Sequence, residues 1–251
     1  MARQSTIFRL KGTIAGVTFY KTKDGYLAKE KSEIERSKLK NDPAFQRTRE
    51  NGAEFGAAGT AGKVLRRSIS TLLKKASDGR VTSRLAKEML NVLREDTVHP
   101  RGQRTVTAGT VELLHGFDFN VNAKFGAAFT APFSVSLNRV TGEAQAALPV
   151  FIPATDIKAP GGTTHFRFLS AAMEVDFDNE AFLADIGDHP IMPWDETSSP
   201  AMNIEHLLTE NSTLSLFFVL GVEFFQEVNG EMYPLKNGGY NALQIVDAQS
   251  A

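Results

Sequence analysis

The chain contains no cysteine. That excludes a disulfide scaffold, a thiolate metal site and a thiol nucleophile, and it is compatible with any redox compartment. Long apolar runs are also missing. No stretch approaches the roughly 20 residues of a membrane span, and the strongest, Leu214 to Phe225, carries Glu223 within it. The first 25 residues do not compose a secretory signal. Their uncharged stretch, Gly12 to Tyr20, is short, broken by glycine and rich in β-branched residues. The expected location is therefore the cytoplasm, with export by a route that needs no N-terminal signal left open. Local catalytic signatures are lacking too: there is no Gly-x-Ser-x-Gly and no His-Glu-x-x-His. The five histidines, His99, His115, His165, His189 and His206, are scattered. Spacing alone leaves open a triad assembled from distant positions, but the expectation is a non-enzymatic protein with no cofactor, no metal and no identifiable small-molecule ligand.

What is present is ordinary in bulk and uneven in distribution. The 251 residues are 42% hydrophobic and 23% charged, enough for one large domain or two small ones. The net charge of −1 hides a division. Residues 1–104 hold 23 Lys+Arg against 11 Asp+Glu, a net +12, and residues 105–251 hold 5 against 18, a net −13. The segment "HPRGQR", residues 99–104, marks the expected boundary between a basic N-terminal region, 1–104, and an acidic domain, 105–251. Three readings of the asymmetry stand: the halves face each other in one molecule, the basic half of one copy meets the acidic half of the next, or the basic half meets nucleic acid.

Along the chain, "GVTFYKTK" and "YLAKEK" flank Asp24-Gly25 and read as a β-hairpin whose two-residue turn has both central residues at positive φ. Lys21, Lys23, Lys29 and Lys31 suit an exposed edge, and Phe19, Tyr20 and Tyr26 are candidate contact residues of an arm reaching to a neighbour. Residues 32–41 read as a polar linker. Asp42 then caps a helix with Pro43 at its first position. Small or apolar residues follow at Phe55, Ala58, Gly62, Leu65, Ile69, Leu72 and Ala76, a heptad seam. After the break "SDGR", Val81, Leu85, Met89 and Val92 mark a second amphipathic helix from Val81 to Glu95, making an antiparallel helical hairpin. Beyond residue 104 the period becomes two. "RTVTAGTVELL", "FSVSLNR", "EAQAALPVFI", "THFRFLSAAMEVDF", "TLSLFFVLGVEFFQEV" and "YNALQIV" read as strands of an antiparallel sandwich. Asn229-Gly230 is the strongest hairpin turn, and the strand from Leu214 to Phe225, apolar on both faces, is expected to be central. Residues 188–212, rich in proline, read as a long loop.

The stretch "FGAAGTAGKVLRR" has the look of a phosphate-binding loop, but Ala57 stands where the first glycine is needed and Val64 where the magnesium-binding hydroxyl is needed. It reads instead as a continuous helix. Gly52, Gly56 and Gly59 fall within about 60° of one another on its wheel, a strip that would admit another backbone, beside which Lys63, Arg66 and Arg67 begin a basic surface. Glu174, Asp176, Asp178 and Glu180 alternate along one segment and read as a solvated strand face rather than a calcium loop. Asp185, Asp188, His189, Asp195 and Glu196 are candidate metal ligands without a ligand spacing.

The segments "GTIAGVTFYKTKDGYLAKEK", "NDPAFQRTRENGAEFGAAGTAGK", "THFRFLSAAMEVDF" and "GVEFFQEVNGEMYPLKNGGYNAL" resemble a family of uncharacterised bacterial proteins, chiefly of the Bacteroidota; the resemblance implies no activity, ligand or functional residue. The expected fold is α+β: an N-terminal β-hairpin and a helical hairpin, followed by a C-terminal antiparallel β-sandwich. The expected function is structural. The protein would associate with itself into a filament, tube or shell, through Gly52, Phe55, Gly56, Gly59, Lys63, Arg66 and Arg67 and the aromatic residues of the arm. Nucleic-acid binding by the basic helical hairpin is the alternative.

Overall fold

The computed structural model describes residues 2–4, 8–31, 36–187 and 189–251. The chain is α+β and forms two compact units, Met1–Arg49 and Glu50–Ala251. The charge break at residue 104 thus falls inside the second unit, because the helices before it share a core with the strands after it.

In the N-terminal unit, β1 (Ala2–Arg3), β2 (Gly12–Ile14), β3 (Val17–Thr22) and β4 (Gly25–Glu30) form an antiparallel sheet in the order β1-β4-β3-β2. The expected hairpin is therefore half of a larger sheet, and its turn is displaced. Thr22 faces Gly25, so the central residues are Lys23 and Asp24, and Gly25 opens the next strand at φ 119. The turn with two positive φ values lies one hairpin earlier. Ala15 (φ 47) and Gly16 (φ 79) join Ile14 to Val17, the mirror-image turn whose twist suits a two-residue connection. Residues 32–35 of the expected linker lie outside the described residues. Its remainder is a short helix, α1 (Arg36–Asn41). Asp42 caps as expected: its carboxylate accepts from Ala44 N at 2.9 Å, over a 3-10 turn that starts at Pro43.

The helix α2 (Gln46–Ser68), which lies in the second unit from Glu50 onward, runs without a break through the glycine-rich stretch. A short turn of helix, α3 (Ser70–Leu73), leads to α4 (Val81–Arg94). The seam from Ala58 to Ala76 is buried, and so are Val81, Leu85, Met89 and Val92. A second, larger sheet lies beneath this hairpin. Its long strands β7 (His165–Asp176) and β11 (Ser215–Val228) pair antiparallel along their length, flanked by β8 (Ala181–Ile186), β12 (Glu231–Pro234) and β13 (Ala242–Gln249), with β9 (Met192–Pro193) beside β7. The strand expected to be central is central, since β11 pairs with β7, β12 and β13.

One face of this sheet, through Leu169, Ala171, Met173, Phe217, Val219, Leu243 and Ile245, packs under the helices. The other, through Phe166, Phe168, Ala172, Phe218, Leu220 and Phe224, packs on a three-stranded sheet of β5 (Ser134–Leu137), β6 (Glu143–Leu148) and β10 (Met202–Leu207), in the order β10-β6-β5. Burial on both faces explains why β7 and β11 lack polar alternation. Phe129 sits in the second core with Phe151 and Phe168 edge-on at 5.5 and 5.4 Å, the geometry aromatic quadrupoles favour. Asn229 (φ 53) and Gly230 (φ 83) form the expected tight turn between β11 and β12. Among the described residues, no helix is long and apolar enough to cross a membrane.

Three other expectations are corrected. Residues 104–114 hold no strand; Val111–Leu114 is one 3-10 turn. The Thr105 N–H there is captured by Asp96 Oδ2 at 2.9 Å, and Val106, Val111 and Leu114 bury themselves beside the helices. The segment 188–212 is not a bare loop, for it contains β9 and β10. Finally, Glu174, Asp176, Asp178 and Glu180 do not share a solvated face. Glu174 is buried and accepts from Thr209 N and from Ser212 Oγ, the latter at 2.7 Å. Asp176 closes the β7–β8 turn by accepting from Asp178 N and Asn179 N at 3.1 and 2.9 Å, which, led by the Asn179 side chain, lowers its carboxyl below the usual range.

Candidate functional site

Along β10, Asn203, Glu205 and Leu207 face outward while Ile204 and His206 face inward, the period of two that a half-buried strand imposes. The inward turn brings His206 onto β7. Ser170, fully buried on β7, has its Oγ 2.7 Å from His206 Nε2 and 2.5 Å from His189 Nε2. Asp185, on β8, lies with Oδ2 3.1 Å from His206 Nδ1, out of line for a well-formed hydrogen bond, so that Nδ1 remains a buried polar atom without one. Gly187 makes room for this cluster. A Cβ there would stand 2.4 Å from Ser170 Oγ and 2.5 Å from His189 Nε2.

The order Ser170–His206–Asp185 is that of an acyl-transfer triad, but its setting is wrong for a nucleophile. Ser170 is 0% exposed, in mid-strand, with its hydroxyl between two imidazoles; a carbonyl carbon could not approach Oγ. The hydroxyl has one proton, so it donates to one imidazole and accepts from the other. The cluster therefore pins β7 to β10 and to the segment after β8.

Burial holds the His206 imidazole below its ordinary value of 6.5, against the opposing pull of Asp185. Folding thus favours the neutral ring. Its contribution to stability is whole above about pH 6.5 and is lost as the pH falls below that value. Thermal melts are expected to show a lower midpoint at pH 5.5 than at pH 7.5, with His206→Gln flattening the slope. Ser170→Ala, which strands two ring nitrogens, is expected to cost about 1–3 kcal/mol. An unchanged pH slope in His206→Gln would remove this histidine from the account.

Outside the pin lies a cleft of about 390 Å³, lined by Glu143, Gln145, Asp185, Glu205, His206 and Leu207. Glu143 and Glu205 have no Lys or Arg within ion-pair distance among the described residues. Gln145 Nε2 donates to Glu205 Oε1 at 3.2 Å and Thr141 Oγ1 to Glu143 Oε2 at 3.1 Å. The cleft is accordingly an anionic surface with one apolar wall, since Leu207 is 65% exposed.

The residues singled out from sequence fall on both units. Phe19 and Tyr26 share one face of the N-terminal sheet with Ile14, Val17 and Ala28, while Tyr20 is on the other with Thr18 and Leu27. Lys21 Nζ lies 5.6 Å from the Tyr26 ring centre and Lys29 Nζ 5.8 Å from that of Tyr20. On α2, Phe55 departs from the expected seam and is 59% exposed. Gly52, Gly56 and Gly59 have nothing within 4 Å of where a Cβ would be. Only Gly62 meets the neighbouring helix, at Leu85 and Met89. Lys63 Nζ is 3.9 Å from Glu180, Arg66 Nε donates to Gly62 O at 3.1 Å, and Arg67 lies over the Phe182 ring. Lys75 Nζ stands 3.9 Å from Glu223, and Arg84 binds Asp78. Much of the helical hairpin's positive charge is thus engaged within its own unit.

Of the candidate metal ligands, Asp188 lies outside the described residues. Asp195 accepts from Thr197 N at 2.8 Å, and no group of three ligands comes together among the described residues. Ser170 and His206 were not singled out as a site, because the partners of Ser170 are 19 and 36 residues away and no local spacing links them. Comparison of the chain with protein-family models, with curated proteins and with solved structures finds no match.

Proposed function

We propose that the protein is a non-enzymatic structural protein that associates with copies of itself, the basic N-terminal unit of one chain binding the acidic body of the next. The observation that carries this reading is a sheet without a core. Among the described residues of Met1–Arg49 none is buried, although Ile14, Val17, Phe19, Tyr26 and Ala28 share one face of the sheet. A small sheet needs a hydrophobic face packed against something to be stable. Charge names the partner: residues 1–49 hold 12 Lys+Arg against 5 Asp+Glu, a net +7, and residues 50–251 hold 16 against 24, a net −8. Such a contact between unlike surfaces closes into a ring or runs on as a filament.

The test is light scattering and negative-stain microscopy of the full chain and of a chain lacking residues 1–31. The full chain is expected to form oligomers that grow with concentration and shrink with salt. The truncated chain is expected to be monomeric with an unchanged melting transition. A full chain that stays a monodisperse monomer at high concentration and low salt would sink the proposal. Tyr26, with Arg9 and Lys21 at 5.0 and 5.6 Å from its ring centre, supports a second reading, single-stranded nucleic acid stacked on that one face of the sheet. A salt-steep gel shift with no self-association would put that reading first.

A further inference from the structure

We propose that the cleft of Glu143, Asp185 and Glu205 receives a cationic side chain, a lysine ammonium or arginine guanidinium from the N-terminal sheet of a second copy of this chain; this rests on the assembly reading and names its receptor. The carboxylates come from three strands, β6, β8 and β10, so the fold itself gathers them. A pair of like charges on neighbouring strands repels: Glu143 stands opposite Leu207, two positions along from the Glu205–Gln145 pair and so on the same face. An incoming cation relieves that repulsion. A second observation points the same way. The His206 side chain is 1% exposed, lines the cleft, and has Nδ1 without a well-aligned partner. A buried polar atom left so is costly, and at a cleft wall an incoming group, or Asp185 turned by that group, supplies the bond.

The chemistry selects an organic cation. The described residues bring no three metal ligands together, so a bare ion would lack a coordination shell, whereas an ammonium or guanidinium carries its own donors. Leu207, 65% exposed at the rim, offers the apolar wall against which a lysine or arginine stem lies while its head reaches the carboxylates. The source is the arm of another copy, since residues 1–31 hold 7 Lys+Arg against 2 Asp+Glu.

The experiment uses the full chain, mixed from isotopically heavy and light preparations, joined by a zero-length carbodiimide that condenses amines with carboxylates. Peptide mass spectrometry is expected to find heavy–light amide links from lysines of residues 11–31 to Glu143, Asp185 or Glu205. In parallel, Glu143→Gln with Glu205→Gln, which keeps side-chain shape, is expected to raise the concentration at which oligomers form about ten-fold at low salt, without moving the melting temperature. Links only to other carboxylates, together with unchanged assembly of the double variant, would overturn the cleft as receptor. If removal of residues 1–31 still abolished oligomers, the assembly reading would survive that loss. A monomeric wild type would remove both.

Discussion

Replacing Asp96 by alanine is expected to cost about 3 kcal/mol, the order for removing one buried carboxylate that accepts several charge-assisted hydrogen bonds at once. The carboxylate is 1% exposed, just beyond α4 where the chain turns toward the sheets. Oδ1 accepts from Val98 N at 2.8 Å and His99 N at 3.0 Å. Oδ2 accepts from Thr105 N at 2.9 Å and lies 2.8 Å from His99 Nδ1. Alanine would leave the N–H groups of Val98, His99 and Thr105 without their acceptor, and the segment 97–105 would keep only the second carboxylate clamp described for it, Glu54 Oε1 accepting from Gly102 N at 2.9 Å. Burial alone would raise the carboxyl's pKa. The N–H groups of Thr105 and His99, the His99 ring and Val98 N outweigh it and hold the group far below 3.8. A depressed acid stabilises above its unfolded value, so this contribution is present above about pH 3.8 and lost as the pH falls below it. Urea melts at pH 7 and pH 3 measure both effects: the wild type should lose stability between them, and Asp96→Ala should start low and change less. A variant within 1 kcal/mol of wild type at pH 7 would show that the clamp is dispensable.

The parts of this fold that were legible in the sequence are those that a local pattern determines. The heptad seam from Ala58 to Ala76 and the stripe from Val81 to Val92 required only helical periodicity, and both are buried. The unalternating apolar run of β11 required only that a strand covered on both faces shows no polar side. Phe55 fits the same seam numerically but lies one turn before the second helix offers cover, so it is exposed. Residues 104–114 alternate like a strand, but Asp96 and the helical core claim their backbone and side chains first. Pattern could not distinguish that outcome from a ladder. β10 was hidden by the prolines before it, although Asn203 to Leu208 alternate faithfully.

The Ser170–His206–Asp185 cluster and the cleft outside it depend on register between strands far apart in sequence, and no local spacing encodes that. The charge asymmetry was legible in amount, and its break at residue 104 does not coincide with the division into compact units. Compactness divides the chain at Arg49, since the helical hairpin, basic as it is, builds the same core as the acidic strands.

Glycine shows the same limit most sharply, because one substitution is expected to have opposite signs at two sites. Gly221 lies mid-strand in β11, between Leu169 of β7 and Leu243 of β13. A Cβ there would stand 2.2 Å from the carbonyl oxygen of Ala242 and 3.0 Å from Leu243 Cδ1. The first neighbour is backbone held in a ladder, so it cannot turn aside as a side-chain end could. Both cores rest on this sheet, and separating β11 from β13 would disturb each. Gly221→Ala is therefore expected to cost about 3 kcal/mol or more, at the upper end for overpacking, and to lower the melting temperature by roughly 6–12 °C for a body of this size. Gly59→Ala has open space around it and a helical backbone in α2. It is expected to gain up to about 1 kcal/mol from helix propensity and a less flexible unfolded chain. Thermal melts of the two variants, compared with wild type, decide the matter. If Gly221→Ala melts with wild type, the close approach of β13 is not as described. If Gly59→Ala melts lower while remaining monomeric, some part of the same chain lies against the strip. A rise in melting temperature coupled with loss of oligomers would place the neighbour of Gly59 on another copy.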